Sequence, residues 1–512
     1  MASRTGNSIR NIFFGAINRI LAILIPFIFR TIIIYILGEE YLGLNTLFSS
    51  ILQVLNVADI GIGSAISASM YKPIAENDQK TVSALLNLYR NVYRFIGISI
   101  LTLSLVALPF LEKFINGEPP AGVNIYILFL LYAGNTAASY FFFSYKIILV
   151  TAHQRMDLTE KIGTITKLLT SVLQIIMLVV FKNITAYVAC NMLCVIMYNL
   201  GCSFIADKYY PQYRCEGRPR EALKKKIYKD TLALAYHKIG NTVSVSLDSI
   251  IISSFISLSS VAIYGNYNYI CNAIGQFIAL FFGSITASVG NSIATETIEK
   301  NYQDFKKISF ANMWVVGWCS ACLICLFQNF MILWTGENLL LDFVTMIVIV
   351  VCFYVTNIRK VVLTYKDAAG MWDADKYKPL VGCCVNLIVN IILVRYIKIA
   401  GVVLSTIISY LFIEQPWETR VLLKKYFNES VVGYYFSWSK MIIKTVVAII
   451  VTYLLTLRIP QNILGFCIRT VICIFVPNII MAILNIRNAQ FHQVIAFIAM
   501  QFNKKTIAQK RK

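Results

Sequence analysis

Two arginines interrupt an otherwise apolar run near the N-terminus. Arg19 and Arg30 stand eleven residues apart, which on an α-helix is about 1100°, or three turns plus roughly 20°. Both guanidinium groups therefore leave the same helix face, about 16 Å apart along the axis. A guanidinium stays charged and grips phosphate through two parallel hydrogen bonds. A charge near the centre of a bilayer costs at least about 2.5 kcal/mol and usually faces a cavity. Two such groups in a ladder suit an anion passing from one side of a membrane to the other. The other readings are pairing with a buried acid or snorkelling to headgroups, which is easy at Arg19 and harder at Arg30.

Acids are few in the apolar runs. Asp59 precedes two glycines in Asp59-Ile60-Gly61-Ile62-Gly63, a pattern that permits close helix approach or a local break. His237, Asn241, Ser244 and Asp248 follow at intervals of 4, 3 and 4 and so share one helical face, with Lys238 adjacent. Such a stripe on a membrane helix faces a water-filled cavity. Asp248, with Asp59 and His237, is a candidate site for a coupling ion, H⁺ or Na⁺. A static ion pair for Asp248 and an interfacial role for His237 are the alternatives. Asn266 and Asn268, in Tyr264-Gly265-Asn266-Tyr267-Asn268, fit either sugar hydroxyls or helix–helix hydrogen bonds. Arg469 lies deep in the last apolar run. The candidate substrate contacts are thus Arg19, Arg30, Lys238, Asn241, Asn266, Asn268 and Arg469. Arg90, Arg359 and Lys360 lie near the inner surface, where snorkelling accounts for them. The spacing of Cys319, Cys322 and Cys325 has no histidine or fourth thiol near it in sequence, so buried small hydrophobes are expected rather than a metal site or disulfide.

These residues must be held by membrane helices. Hydrophobic residues make up 58% of the 512 and charged residues 14%, against about 25% charged in soluble domains. The apolar runs do not alternate, which sets aside a β-barrel. About twenty residues per crossing gives about fourteen spans. They lie near 11–37, 43–68, 83–110, 122–145, 160–181, 184–206, 231–257, 261–290, 309–333, 341–363, 377–395, 399–415, 440–457 and 461–485. With a cytoplasmic N-terminus, the external gaps hold only Lys113, Lys182, Arg395, Lys398 and Arg458, while the internal gaps and tails hold about thirty cations. An even count returns the C-terminus to the cytoplasm. The formal charge of +21 is then mostly topological, and the basic loops contact anionic lipids.

The expected organisation is an N-lobe over 1–206, a basic cytoplasmic linker over 207–230 and a C-lobe over 231–415. A cytoplasmic loop over 416–439, two further helices over 440–485 and a basic tail over 486–512 follow. No gap is long enough for a sizeable soluble domain, and no basic-aromatic module for nucleic acid fits between the spans. The first run carries Arg19 and Arg30 and lacks a small-residue cleavage site, unlike a signal peptide. No HExxH, GxSxG, Walker loop or dinucleotide fingerprint occurs. The expectation is therefore a non-enzymatic transporter with no cofactor beyond a coupling ion. A shift of 220 residues overlays Gly63-Ser64 through Glu76 on Gly283-Ser284 through Glu296, which suggests parallel repeats around a central cavity.

Four stretches resemble the bacterial polysaccharide flippases, the Wzx-type branch of the multidrug/oligosaccharidyl-lipid/polysaccharide exporter (MOP) superfamily. They are Arg30 through Leu37-Gly38-Glu39-Glu40-Tyr41-Leu42-Gly43-Leu44-Asn45, and Ala58-Asp59-Ile60-Gly61-Ile62-Gly63-Ser64 to Tyr71-Lys72-Pro73. Next come Lys238-Ile239-Gly240-Asn241 through Asp248 to Tyr264-Gly265-Asn266-Tyr267, and Tyr365-Lys366-Asp367-Ala368-Ala369-Gly370 to Lys376-Tyr377-Lys378-Pro379. Together they cover nearly the whole chain in the family's order. The resemblance implies an all-α integral membrane protein of the bacterial plasma membrane, with two pseudo-symmetric six-helix lobes in a V shape plus two C-terminal helices. It implies export of an undecaprenyl-diphosphate-linked oligosaccharide from the inner to the outer leaflet by alternating access. Polysaccharide-synthesis proteins are possible partners. In such flippases cationic cavity residues engage the diphosphate, and Arg19 and Arg30 occupy comparable first-helix positions. The rival readings are a drug:cation antiporter on the same fold, disfavoured by an arginine-bearing cavity, and a scaffold for envelope synthesis, which leaves Arg30 and Asp248 without purpose.

Overall fold

The computed structural model describes residues 4–56 and 61–496. On its helices the side chains of residues 4–17, 19, 230, 233–239, 241 and 280–287 lie outside the described residues. Every regular element among the described residues is helical. The first half holds α1 (Arg4–Ile36), α2 (Glu39–Leu55), α3 (Ile62–Ala75), α4 (Gln79–Ala107), α5 (Ile125–Ala138), α6 (Ile147–Ala152), α7 (Met156–Val179), α8 (Ile184–Tyr209) and α9 (Glu221–Phe255). Then come α10 (Leu258–Thr295), α11 (Ile298–Thr335), α12 (Phe343–Ile358), α13 (Lys360–Ala368), α14 (Lys378–Ser409), α15 (Gln415–Arg420), α16 (Val431–Thr456) and α17 (Ile463–Asn485).

Helix starts carry the expected caps. The Asp78 carboxylate accepts from Thr81 N at the start of α4, and Asn183, Thr297, Asp342, Ser430 and Asn462 do the same for α8, α11, α12, α16 and α17. The glycines after Asp59 serve both purposes expected of them. Gly61, at φ 103°, begins α3 in a left-handed conformation that separates it from α2. Gly63 brings α3 against α4, where a Cβ would meet the Tyr89 hydroxyl at 2.8 Å. The run expected as one span over 43–68 is thus two helices, whereas its counterpart over 261–290 is continuous in α10. The join expected between 377–395 and 399–415 appears as a kink in α14, with Lys398 at φ 48°.

The chain divides into two compact units, Met1–Gly265 and Asn266–Lys512. In the first, Phe48 packs edge-on against Phe129 and Tyr132, within a core that includes Ile33, Leu44, Leu47 and Leu128. In the second, Phe305, Tyr365, Phe427 and Tyr434 form an aromatic cluster. Two indoles tie α11 to α17: Trp314 donates to Asn478 Oδ1 at 2.8 Å and Trp318 to the Cys473 carbonyl at 2.9 Å.

Outward faces are as apolar as the cores. On α7, Ile165, Leu168, Leu169, Val172, Leu173 and Ile176 are exposed at helical spacing, as are Ile443, Val446, Val447, Ile450, Val451 and Leu454 on α16. Continuous apolar stripes of that length have no place in water. They match hydrocarbon. Among the described residues, eight helical segments are long and apolar enough to cross a membrane, and Ile20–Ile36, Ile125–Ala138 and Thr242–Phe255 are shorter apolar helices. The protein is a multi-pass membrane protein.

Candidate functional site

Within the first unit, α2 carries a polar face into the apolar bundle. Asn45, Ser49, Gln53 and Asn56 follow at intervals of 4, 4 and 3, so one helix face holds all four. They form one wall of a cavity of about 390 Å³, closed on the other sides by Tyr132, Asn135 and Thr136 of α5 and Tyr187 and Asn191 of α8. Among the described residues on its lining, none carries a charge.

The wall's amides are oriented by protein partners. Tyr132 donates its hydroxyl to Asn45 Oδ1, and Tyr140 donates to Asn56 Oδ1, both at 2.5 Å. Ser246 of α9 donates to Gln53 Oε1 at 3.1 Å. With the Asn45 and Asn56 oxygens taken, their two amide NH₂ groups are the ends left to act as donors. Asn135 Oδ1 is buried and has no hydrogen-bond partner among the described residues, so it adds an acceptor. Donors and an acceptor held between tyrosine rings match a ligand rich in hydroxyls, which both give and receive hydrogen bonds.

Arg30 reaches this region from α1. The preceding Phe29 packs edge-on against Tyr187 with ring centroids 5.4 Å apart, and the Arg30 charge acts on that tyrosine. The guanidinium lies across Gly265, where a Cβ would sit 3.4 Å from Nη1 and 3.8 Å from Cγ2 of Thr46. A larger side chain at 265 would displace it. One residue earlier, Tyr264 donates its hydroxyl to Asp248 Oδ2 at 3.3 Å, and Asp248 is only 5% exposed. The Tyr264–Gly265 step therefore brings together the contacts of Arg30 and Asp248, two residues singled out from sequence for different reasons.

Residues 8–288 match the sequence profile of a family described as polysaccharide biosynthesis protein. The chain belongs to this family. No curated protein matches it. The fold is shared with solved membrane transporters at low identity. One is the lipid II flippase MurJ in an inward closed conformation, with TM-score 0.67 and 15% identity over 94% of this chain and 98% of that one. Another is a multidrug resistance MATE family transporter of the MOP superfamily in an inward-facing conformation, with TM-score 0.61 and 13% identity over 80% of this chain and 93% of that one. A MATE transporter of Vibrio cholerae aligns with TM-score 0.53 and 14% identity over 84% and 99%.

The remaining candidates of this family member divide. Asp59 lies outside the described residues, as do the side chains of Arg19, His237, Lys238 and Asn241. Asn266 is buried. Asn268 accepts from Asn272 at 3.5 Å. Between them, Tyr267 donates to Gln328 Oε1 at 2.6 Å and accepts from Leu341 N, so this residue serves helix–helix bonding. Arg469 donates from Nη2 to the Ile459 carbonyl and is 9% exposed. It closes the turn between α16 and α17.

Arg359 does not snorkel. It is buried at the end of α12, with Nη2 2.6 Å from both Glu414 Oε2 and Glu418 Oε1 and its guanidinium over the Tyr410 ring. Lys378 joins Glu418 at 2.5 Å and Asp375 at 3.3 Å, and Lys366 joins Asp375 at 2.8 Å. Pro416 helps to build this arrangement. Its ring denies the helix an ordinary bond and crowds the carbonyl four residues back, and Tyr410–Glu414 is widened into a π-helix. Glu414 and Glu418, four residues apart, then face Arg359 together. Sequence reasoning passed over both acids, although their spacing was a visible signal. Lys360 donates to the Gly275 carbonyl at 3.1 Å rather than reaching for headgroups.

Proposed function

We propose that the protein moves a lipid-linked oligosaccharide, carried on undecaprenyl diphosphate, from the inner to the outer leaflet of the bacterial plasma membrane. One observation carries this reading: a cavity whose described lining is amides, hydroxyls and tyrosine rings, with Arg30 packed beside it. Sugar hydroxyls match the cavity, and a diphosphate matches the guanidinium. An exporter of organic cations would need a carboxylate where this cavity has neutral amides. The prenyl chain stays in lipid while the diphosphate pairs with Arg19 and then Arg30, so its charge is never bare in low dielectric.

Alternating access then carries the headgroup across, with Asp248 as the coupling acid for H⁺ or Na⁺. Family membership and the shared transporter fold support the class of function, and the cavity supports the substrate. Basic cytoplasmic loops would meet anionic lipids and the synthesis proteins that deliver the substrate.

Binding of the oligosaccharide-bearing lipid and of bare undecaprenyl diphosphate, compared by native mass spectrometry, tests the assignment. Gln53→Leu with Asn135→Leu removes two polar groups worth about 1 kcal/mol each. We expect roughly tenfold or greater loss of affinity for the sugar-bearing lipid, with the bare lipid unaffected. Equal losses for both lipids would reject the cavity as a sugar site. An imposed proton or sodium gradient that leaves flipping unchanged would reject Asp248 as a coupling site.

A further inference from the structure

The second unit holds another pocket, of about 300 Å³, where the N-terminal parts of α11 and α16 meet the end of α17. Among the described residues its lining includes Lys306, Lys440 and Lys444 and no carboxylate. Lysines nearby are neutralised in the ordinary way: Lys300 and Lys307 lie 3.3 and 3.0 Å from Asp304. The three pocket lysines have no such partner among the described residues. Lys306 rests over the Tyr302 ring at 4.5 Å and Lys440 over Phe436 at 4.1 Å. Lys444 donates to Asn485 Oδ1 at 2.9 Å. Lys440 and Lys444 are four residues apart on α16, a spacing at which like charges destabilise a helix.

Neutral donors complete the set. Ser309, 7% exposed, lies on the lining, and its buried hydroxyl has no hydrogen-bond partner among the described residues. Trp438 is also on the lining, and its buried indole N–H has none among them either. Of the lining carboxamides, the Asn485 oxygen is taken by Lys444 and the Asn488 oxygen by Gln490 N. Ammonium, hydroxyl and indole groups together ask for a ligand that accepts many hydrogen bonds and carries more than one negative charge. Phosphate is that ligand. Phe310, Met313 and Met441 continue the wall as apolar surface, and the outward stripe of α16 follows from Ile443. A free anion has no use for such a wall; an acyl lipid does.

We propose that this pocket binds the phosphate headgroup of a membrane lipid. It lies in a different unit from the sugar cavity, and its occupancy is read without any flipping, so the two proposals stand or fall separately. The test uses the full chain, purified in phosphate-free detergent and titrated with dioctanoyl phosphatidate, dioctanoyl phosphatidylcholine or inorganic pyrophosphate. Phosphatidate should bind at least tenfold more tightly than either of the others, because only it joins a dianionic phosphate to acyl chains. Lys440→Gln with Lys444→Gln should weaken phosphatidate at least tenfold. Lys300→Gln with Lys307→Gln should leave it unchanged. Trp438→Phe, which removes only the N–H and keeps a ring in the wall, should weaken it severalfold. Phosphatidate affinity indifferent to the Lys440 and Lys444 substitutions would overturn the site. Pyrophosphate binding as tightly as phosphatidate would overturn the lipid and leave a pocket for a soluble anion.

Discussion

Arg30 and Arg359 are both guanidinium groups in apolar helices, and they have opposite uses. Arg359 is enclosed by Glu414 and Glu418 and serves to fix the inner part of the second unit. Removing one member of such a network leaves the others buried and uncompensated, which costs about 3–5 kcal/mol. We therefore expect Arg359→Met to lower unfolding stability by roughly that amount, measured in detergent by denaturant titration. A change under about 1 kcal/mol would mean that water already reaches the network. Arg30 instead lies over Gly265, near Thr46. Gly265→Val should displace it and cut flipping about as severely as loss of the arginine itself, with folding retained. At this scale the sequence was only partly legible. Charges in apolar runs are conspicuous, so Arg30 and Asp248 stood out. The face of Asn45, Ser49, Gln53 and Asn56 obeys the same spacing rule but carries no charge. Its importance depends on α5 and α8 folding against it, which no local pattern reveals.

Helices are placed by apolar length, and most of the expected runs fall largely on helical segments among the described residues. Their interruptions were harder to read, because a break depends on backbone dihedrals as well as hydropathy. The Gly61 break was signalled by its glycine, while the π-widening before Pro416 was not foreseen. Close helix approach supplies a sharp test at Gly43 of α2. A Cβ there would lie 2.0 Å from the Leu258 carbonyl oxygen at the start of α10, and backbone cannot rotate away. Gly43→Ala should cost about 1–3 kcal/mol, as overpacking does, and its failure to lower the melting temperature would contradict this packing. The connection between α6 and α7 offers a test by pH. His153 donates from Nδ1 to the Leu149 carbonyl, 2.8 Å away, and stacks on Tyr210 at 4.0 Å. Burial lowers its pKa from the ordinary 6.5, so folding favours the neutral ring. The unfolded chain takes up the proton first as pH falls. Stability from this group is present above about pH 6.5 and lost progressively below it. The melting-temperature advantage of wild type over His153→Gln should therefore shrink between pH 7.5 and 5.5. An advantage that grows on acidification would reverse the sign.

For the whole molecule, one chemical division recurs. Apolar stripes on α7 and α16 meet lipid, while buried charge within the first unit is met by partners, as Asp157 is by Arg155. The positive-inside distribution makes orientation testable: a cysteine introduced by Lys225→Cys in a variant lacking Cys215 should react with a membrane-impermeant thiol reagent only after cells are opened. Reaction in intact cells would invert the topology. The chain belongs to the polysaccharide biosynthesis family over residues 8–288 and shares its fold with MurJ and a MATE transporter, and the proposed cargo rests on the cavity and its arginine. Flipping of a fluorescent undecaprenyl-diphosphate oligosaccharide in proteoliposomes, compared for wild type, Arg30→Lys and Arg30→Ala, addresses that cargo most directly. Loss of a charge-assisted hydrogen bond to the diphosphate should slow Arg30→Ala roughly ten- to hundredfold, with Arg30→Lys between it and wild type. Wild-type flipping by Arg30→Ala would show that the diphosphate takes another route.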